Sequence, residues 1–111
     1  MDKYYPTRGV NILCLNTNNL VGRLGGDEFM IGLAADVSEP DHMASTANAI
    51  LSIIRAPIDI QGTEIFVDAS IGIAVGAGEN DRLDELLRMA DLSLYSVKRS
   101  GKGGWHINSS V

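Results

Sequence analysis

The sequence predicts a layered domain of the α/β or α+β class, in which helices pack against a mixed β-sheet. Two observations support this prediction: strand-like runs and helix-like apolar stripes alternate along the chain, and short Gly-containing turns separate neighbouring strand-like runs. The 111 residues, of which 45% are hydrophobic, are enough for one domain with its own core. The formal net charge of -5 argues against a general nucleic-acid-binding surface, which would be basic.

The first strand-like runs come after an irregular opening. Residues 1–19 show no persistent helical or strand period, and we expect an irregular lead-in there. Two apolar runs follow at 20–24 and 28–34, separated by Gly25 and Gly26. A Gly-Gly pair between such runs predicts a hairpin, because glycine adopts the positive φ of a tight turn without steric cost. Since both faces of the second run are apolar, we expect a strand that is covered on both sides.

Two amphipathic helices are expected. The first ends at Pro57, and its apolar residues recur at helical spacing: Met43, Ala47, Ile50, Leu51 and Ile54. The second begins near Asp81, and its apolar stripe comprises Leu83, Leu86, Leu87, Ala90, Leu94 and Val97. Glycines at 101, 103 and 104 end this second helix.

A second hairpin is expected between the helices. Residues 58–60 and 63–76 flank a Gln61-Gly62 turn, and the longer run alternates well enough to be one strand. One face of that run carries mostly small residues, which allow a helix to approach closely. A short last strand is expected near 105–107.

Cysteine content and hydropathy bear on the location of the chain. Cys14 is the one cysteine, which excludes an internal disulfide and a Cys-rich zinc site, and we expect it to act as a small apolar residue. No apolar run approaches the ~18 residues of a membrane span, and no signal-peptide core is evident. A reducing, cytoplasmic location is therefore expected.

The turn between the first two strands is the first candidate site. Gly25 and Gly26 leave its tip without side chains, so that a phosphate can approach the backbone N–H groups. Asp27 and Glu28 follow, and strand alternation would point them to opposite faces. A nucleotide-bound magnesium ion typically uses one or two carboxylates together with phosphate oxygens and water. The alternative is a solvated hairpin with two surface acids.

The second candidate site is a basic cluster at the end of the second helix. Lys98, Arg99 and Lys102 lie within five residues that contain no acid, in an acidic protein. These bases could complement the negative end of the helix dipole, or two ammonium groups could bind the phosphates of a nucleotide. Asp68 and Ser70 alternate with core residues, which favours a hydrogen-bonded or solvent-facing role over catalysis.

Three ordered segments resemble one known family. Residues 23–29 (RLGGDEF) look like the motif that names the GGDEF, or diguanylate cyclase, family. Residues 68–74 (DASIGIA) and 90–102 (ADLSLYSVKRSGK) resemble a strand of that family and its helix with the following loop. The resemblance covers about residues 16–108 and implies an α+β fold. Its sheet would be mixed and largely antiparallel, wrapped by helices as in nucleotidyl cyclases and the polymerase palm.

The resemblance also implies an activity. Members of the family condense two GTP molecules into cyclic di-GMP, with two domains facing each other and Mg²⁺ or Mn²⁺ bound at the phosphates. Carried over to this chain, the site would comprise Asp27 (metal-binding carboxylate and possible base), Glu28 (adjacent essential acid), Gly25 and Gly26 (lining the nucleotide), and Lys98 and Lys102 (binding the phosphates). Lys102 stands where the family usually has Arg, which keeps the charge but loses the bidentate fork.

The chain departs from the family pattern at its start. The family's opening helix, its first strand with a second metal-binding Asp, and its guanine-reading residues have no counterpart that we identify within 1–19. We therefore expect a missing second carboxylate and an exposed apolar sheet edge. Asn16 and Asn19 replace the charged pair of the family's product-inhibition site, so we expect no inhibitory site. The expected organisation is a lead-in at 1–19, a partial, N-terminally truncated GGDEF domain at 20–108 and a tail at 109–111.

Three hypotheses follow. The chain is a diguanylate cyclase, or a fragment of one with little activity alone. Alternatively, it is a degenerate, non-catalytic GGDEF module that binds a nucleotide or a partner protein. A third possibility is a domain that dimerises through its open sheet edge. Expected partners are GTP, a second GGDEF domain and, in a parent protein, an upstream sensor or a downstream EAL-type domain. A nucleic-acid polymer is not expected.

Overall fold

A computed structural model describes residues 9–34, 40–76 and 82–109. In chain order the elements are β1 (Gly9–Asn16), β2 (Leu20–Gly25), β3 (Glu28–Leu33), α1 (Pro40–Arg55), β4 (Ile58–Ile60), β5 (Thr63–Ile65), β6 (Asp68–Val75), α2 (Leu83–Arg99) and β7 (Gly104–Ser109). Five strands form one sheet in the order β2-β3-β1-β6-β7, and β4 pairs with β5 in a separate two-stranded sheet. Neither described helix is long and apolar enough to cross a membrane.

The direction of the strands confirms the mixed sheet and corrects one expectation about it. The β2–β3 hairpin is antiparallel, as its glycine turn predicts. The other three pairings of the five-stranded sheet, β1 with β3, β1 with β6, and β6 with β7, are parallel. The expectation of a largely antiparallel sheet was therefore wrong. Each helix lies on a crossover connection that returns the chain to the sheet in the same direction, which makes β6 and β7 parallel to β3. Strand β1 is parallel to β3 because only β2, which is antiparallel to β3 and lies outside it, separates them along the chain.

The two helices cover opposite faces of the sheet, as the two amphipathic stripes predict. On one face, α1 contributes Met43, Ala47 and Leu51 to a core that includes Ile12, Cys14, Ile71 and Ile73. On the other face, α2 contributes Leu86, Ala90 and Leu94 to a core that includes Leu13, Leu15 and Ala74. The sheet is thus the middle of three layers, with β1 and β6 buried on both sides.

Strand β1 corrects the expectation of an irregular lead-in for residues 9–16, whereas residues 1–8 lie outside the described part of the chain. Residues 12–15 are buried, alternately against α1 and against α2. A central strand covered on both faces has apolar residues in succession rather than in alternation, so a search for a strand period does not detect it. The strand also lies between β3 and β6, where we expected an exposed apolar edge. The edges of the described sheet are instead β2 and β7.

Cys14 lies in this central strand and has no solvent exposure. Burial raises the pKa of its thiol to about 11, which leaves a negligible fraction of reactive thiolate at neutral pH. The sequence-based interpretation of Cys14 as a small apolar residue is therefore confirmed.

Two strand boundaries also differ from expectation. The run 63–76 forms two strands, because the chain leaves the exposed β4–β5 hairpin at Phe66 and Val67 before it enters the central sheet. Ser109, expected in the tail, is the last residue of β7. The small-residue face of β6 packs against α2 as predicted. A side chain at Gly72 would overlap the carbonyl oxygen of Ala90.

Candidate active site

Strand register brings the two candidate sites to the same end of the sheet, at which β1, β3, β6 and β7 begin. Glu28 at the start of β3 lies opposite Asn11, which in turn lies opposite Ser70, and Ser70 lies opposite Gly104. Three strand spacings separate Glu28 from Gly104, which corresponds to about 14 Å between their backbones. Since α2 ends shortly before β7 begins, its basic end lies at this end of the sheet as well. The acidic turn and the basic cluster therefore flank one row of residues.

The hairpin turn presents open backbone. Gly26 has φ +37°, and a Cβ atom at Gly25 or Gly26 would meet nothing within 4 Å. Arg23 donates a hydrogen bond from Nε to the Gly26 carbonyl oxygen over 3.0 Å. The Asn11 N–H donates to the Asp27 carbonyl oxygen over 2.8 Å, which ties the turn to the central strand. The tip is therefore held at its base and unobstructed at its end.

The two carboxylates occupy different surroundings. Asp27 is exposed and lies in the turn itself, so strand alternation does not apply to it. Glu28 is partly buried at the start of β3, and alternation places it on the same face as Met30, which packs against the α2 core. These two acids are thus close in sequence but not equivalent.

The basic cluster follows directly from the way α2 ends. The N–H of Ser100 donates to the carbonyl oxygens of Ser96 and Val97, and the N–H of Lys102 donates to that of Val97 over 3.1 Å. Backbone groups therefore satisfy the last carbonyls of the helix. Lys98 and Lys102 are exposed, and neither forms an ion pair within the part of the chain that the structure describes.

Polar side chains beside the basic cluster contact the loop 100–104 that follows α2. Ser70 accepts a hydrogen bond at Oγ from the Gly103 N–H over 2.9 Å. Arg55, at the end of α1, donates from Nε to Oδ1 of Asp68 over 2.6 Å. The hydrogen-bonded roles expected for Asp68 and Ser70 are confirmed. Gly103 was expected to end the helix but not to bond to Ser70, and neither Arg55 nor the position of Asn11 carried a signal in the sequence, because the partners of all three are remote along the chain.

The pKa of Asp68 reflects these contacts. Partial burial by itself would raise it, but the hydrogen bonds from Arg55 and from the Ala69 N–H, together with the charge of Arg55, outweigh burial. The pKa of this carboxyl is therefore held below its ordinary value of 3.8. Asp68 is thus a charged partner of Arg55 at neutral pH.

The side chains at the turn fit a metal ion that arrives with its ligand. Among residues 9–34, 40–76 and 82–109, no three His, Cys, Asp or Glu side chains come together in a metal-binding group. The neighbour of Glu28 on β1 is the neutral Asn11. Asp27 and Glu28 supply the one or two carboxylates with which proteins commonly bind magnesium that is also held by phosphate. A preformed cage made only of protein ligands does not fit these residues.

Asn16 and Asn19, which replace the charged pair of the family's product-inhibition site, lie away from the hairpin turn. Asn16 ends β1 opposite Leu33, at the other end of the sheet from that turn. Asn19 accepts a hydrogen bond at Oδ1 from the Ala34 N–H over 2.8 Å. Asn19 therefore connects the β1–β2 turn to the end of β3.

An apolar groove of about 400 Å³ lies on the α1 face, away from these polar residues. Its lining is aliphatic and aromatic, and includes Val10, Ile12, Phe29, Ile31 and Ile54. It offers no charged group to a phosphate, so it is not the site that the sequence predicts.

Comparison with known proteins identifies the family to which this chain belongs. The family described as "Diguanylate cyclase, GGDEF domain" matches residues 12–104. The chain belongs to the GGDEF family. Its RLGGDEF segment forms the β2–β3 turn, and the match includes most of β1.

Relatives of this GGDEF chain are signalling proteins of greater length. It is 38% identical over 80% of its residues to the diguanylate cyclase TpbB of Pseudomonas aeruginosa, covering 20% of that protein. It is 34% identical over 82% of its residues to the bifunctional diguanylate cyclase/cyclic di-GMP phosphodiesterase MucR of the same species, covering 13%. It is 32% identical over 81% of its residues to the cyclic di-GMP phosphodiesterase PdeR of Escherichia coli, covering 13%. The chain thus spans a fifth or less of these curated relatives. No solved structure matches it.

Proposed function

We propose that this chain is the GTP-binding part of a diguanylate cyclase. One observation supports the proposal most directly: the strand register brings the acidic turn and the basic cluster to one end of the sheet. Gly25 and Gly26 admit a phosphate to the backbone of the turn. Lys98 and Lys102 would provide positive charge for the remaining phosphates. Asp27 would hold the divalent ion that accompanies the nucleotide, and Glu28 would be the adjacent essential acid.

The reaction of a complete enzyme joins two GTP molecules. The 3′-hydroxyl oxygen of one forms a bond to the α-phosphorus of the other, the bond from that phosphorus to pyrophosphate breaks, and the hydroxyl proton leaves. Asp27 is the candidate acceptor of that proton. Mg²⁺ or Mn²⁺, when bound, neutralises the charge that develops on the transferring phosphoryl group. Two domains must face each other, because each holds one GTP; the second GGDEF domain is therefore a proposed partner.

The proposal extends to the surroundings of the chain. An upstream sensor or a downstream EAL-type domain would regulate or complement the reaction in a parent protein. A cytoplasmic location fits a reaction that uses GTP.

A binding experiment tests the proposal. Isothermal titration of the chain with GTP and Mg²⁺ is expected to show binding that the double variant Lys98→Ala/Lys102→Ala weakens by at least about ten-fold, since hydrogen bonds to charged groups contribute about 1.5–3 kcal/mol. Arg88→Ala is the matched control, because Arg88 is an exposed base of α2 that pairs with Glu85 over 3.1 Å. Equal affinity of the double variant and the control would contradict the proposal.

A second candidate function is a non-catalytic GGDEF module. The observation in its favour is Asn11, a neutral residue beside Glu28, with no third acid near the turn among the described residues. Such a module would bind GTP without converting it, or would contact a partner protein. GTP binding without formation of cyclic di-GMP, in the presence of an active second GGDEF domain, would favour this candidate.

A further inference from the structure

We propose that Asp68, together with Arg55 and Ser70, is a positioning residue that holds the loop 100–104 and thereby places Lys102 at the candidate active site. We call these three side chains the loop clamp. Its effect on phosphate binding rests on the function proposed above, whereas its effect on the loop does not. None of the three side chains needs to touch the nucleotide.

The contacts of Asp68 on both sides carry the inference. Oδ1 accepts hydrogen bonds from Arg55 Nε over 2.6 Å and from the Ala69 N–H over 2.8 Å. Oδ2 faces the loop: a Cβ atom built on Gly103 would lie 2.6 Å from it, and 3.3 Å from a guanidinium nitrogen of Arg55. The ion pair is therefore packed against Gly103, and a side chain added there would displace Asp68 or Arg55 from its present position.

The backbone of the loop explains why a clamp is needed. Four successive residues have positive φ: Gly101 (+113°), Lys102 (+67°), Gly103 (+77°) and Gly104 (+107°). Lys102 is not a glycine, so its conformation is unfavourable and persists only where neighbouring groups hold it. Those groups lie on either side: the Lys102 N–H bonds to the Val97 carbonyl, and the next N–H, of Gly103, bonds to Ser70 Oγ.

The clamp also connects layers of the molecule. Arg55 is the last residue of α1, Asp68 and Ser70 belong to β6, and the loop follows α2. The two helices cover opposite faces of the sheet, so this ion pair joins the end of one helix layer to the loop that ends the other. Loss of the clamp would leave Lys102 held by the α2 terminus on one side and by the pairing of β7 with β6 on the other, with no contact in between. A lysine that is more mobile loses more conformational entropy when it binds a phosphate.

Two pairs of variants test the inference. Asp68→Asn keeps the shape of the side chain and removes its charge, and Arg55→Lys keeps a positive charge beside Asp68. Gly103→Ala places a methyl group against the ion pair. Gly101→Ala is its matched control, because a Cβ atom there meets nothing within 4 Å although φ is also positive.

Amide hydrogen exchange measures the loop, and titration with GTP and Mg²⁺ measures the site. Asp68→Asn and Gly103→Ala are expected to speed exchange at Lys102 and Gly103 while exchange in the buried part of α2 stays unchanged, and to weaken GTP binding about three- to ten-fold. Arg55→Lys should have a smaller effect on both measurements. Gly101→Ala introduces alanine at a positive φ without a contact to the ion pair, so only the excess effect of Gly103→Ala over Gly101→Ala is assigned to the clamp.

The outcomes separate the clamp from the proposed function. Unchanged exchange at Lys102 and Gly103 in Asp68→Asn overturns the clamp, whatever the affinity for GTP. Faster exchange with unchanged affinity shows that Lys102 is held but not positioned for phosphate, and also overturns the inference as stated. If the unmodified chain does not bind GTP, the proposed function fails, and the exchange measurement alone decides whether Asp68 holds the loop.

Discussion

The ionisation of Asp68 affects the stability of this fold. Its carboxylate pairs with Arg55, and the hydrogen bonds and the charge of that partner hold its pKa below 3.8 in the folded chain despite partial burial. An unfolded chain lacks these contacts and binds a proton at higher pH. The carboxylate therefore stabilises the folded state above the unfolded pKa, and this contribution is lost as pH falls through the folded pKa.

A pH series of thermal unfolding measures this contribution. The melting temperature of the unmodified chain should exceed that of Asp68→Asn at pH 6, and the difference should shrink as pH falls below about 4. The effect is expected to be small, because the Asp68 side chain is 46% exposed and solvent screens such pairs. A difference that stays constant from about pH 6 to pH 3 would show that the charge of Asp68 contributes nothing to stability.

At the scale of elements, the contact between α2 and β6 depends on one glycine. Gly72 lies on the small-residue face of β6, and its missing side chain lets the helix backbone approach near Ala90 and Leu94. The sequence predicts that this face of β6 carries small residues. It does not predict which of them the helix contacts, because that depends on where along β6 the axis of α2 passes. Gly72 is thus one place at which the helix that carries Lys98 packs closely against the sheet.

Alanine substitution at Gly72 tests this packing. Gly72→Ala is expected to lower the free energy of unfolding by about 1–3 kcal/mol or more, since a methyl group would overlap backbone of α2. Gly22→Ala is the control: Gly22 also lies in a strand, but an added Cβ meets nothing within 4 Å. That variant should be neutral or slightly stabilising, because alanine restricts the unfolded chain. Urea denaturation compares the two, and equal effects would contradict the close approach.

At the scale of the whole molecule, the arrangement of the two candidate sites bears on the proposed activity. The acidic turn and the basic cluster lie at the same end of the sheet, but the residue of β1 beside Glu28 is Asn11 rather than an acid. The chain also spans a fifth or less of the curated relatives considered above. The neutral Asn11 beside Glu28 bears on the conversion of GTP rather than on its binding.

We therefore expect the isolated chain to form little or no cyclic di-GMP from GTP and Mg²⁺, even where it binds GTP. Chromatographic detection of cyclic di-GMP after incubation is the measurement, with an active diguanylate cyclase as the positive control. Substitution of Asp27 by Asn should abolish any residual product. Robust turnover by the unmodified chain would sink this expectation.

The parts of the fold that depend on neighbouring residues were predictable. The β2–β3 hairpin follows from Gly25 and Gly26, both helices follow from their apolar spacing, and the short last strand was expected near 105–107. The residues of the candidate site were proposed from two short segments, 23–29 and 90–102, each of which is contiguous in the sequence. The β5–β6 break at Phe66 and Val67 was missed, because alternation continues across it although the chain changes sheets.

By itself, the sequence determined the family, the two helices, the glycine turn with Asp27 and Glu28, and the basic end of α2. Tertiary structure alone decided that residues 9–16 form the central strand, that the pairings around it are parallel, and that Asp68 and Arg55 meet at Gly103. The physical reason is range. Turn conformation and helical period act between residues close in sequence, whereas strand order and the loop clamp depend on burial and pairing between segments far apart in the chain.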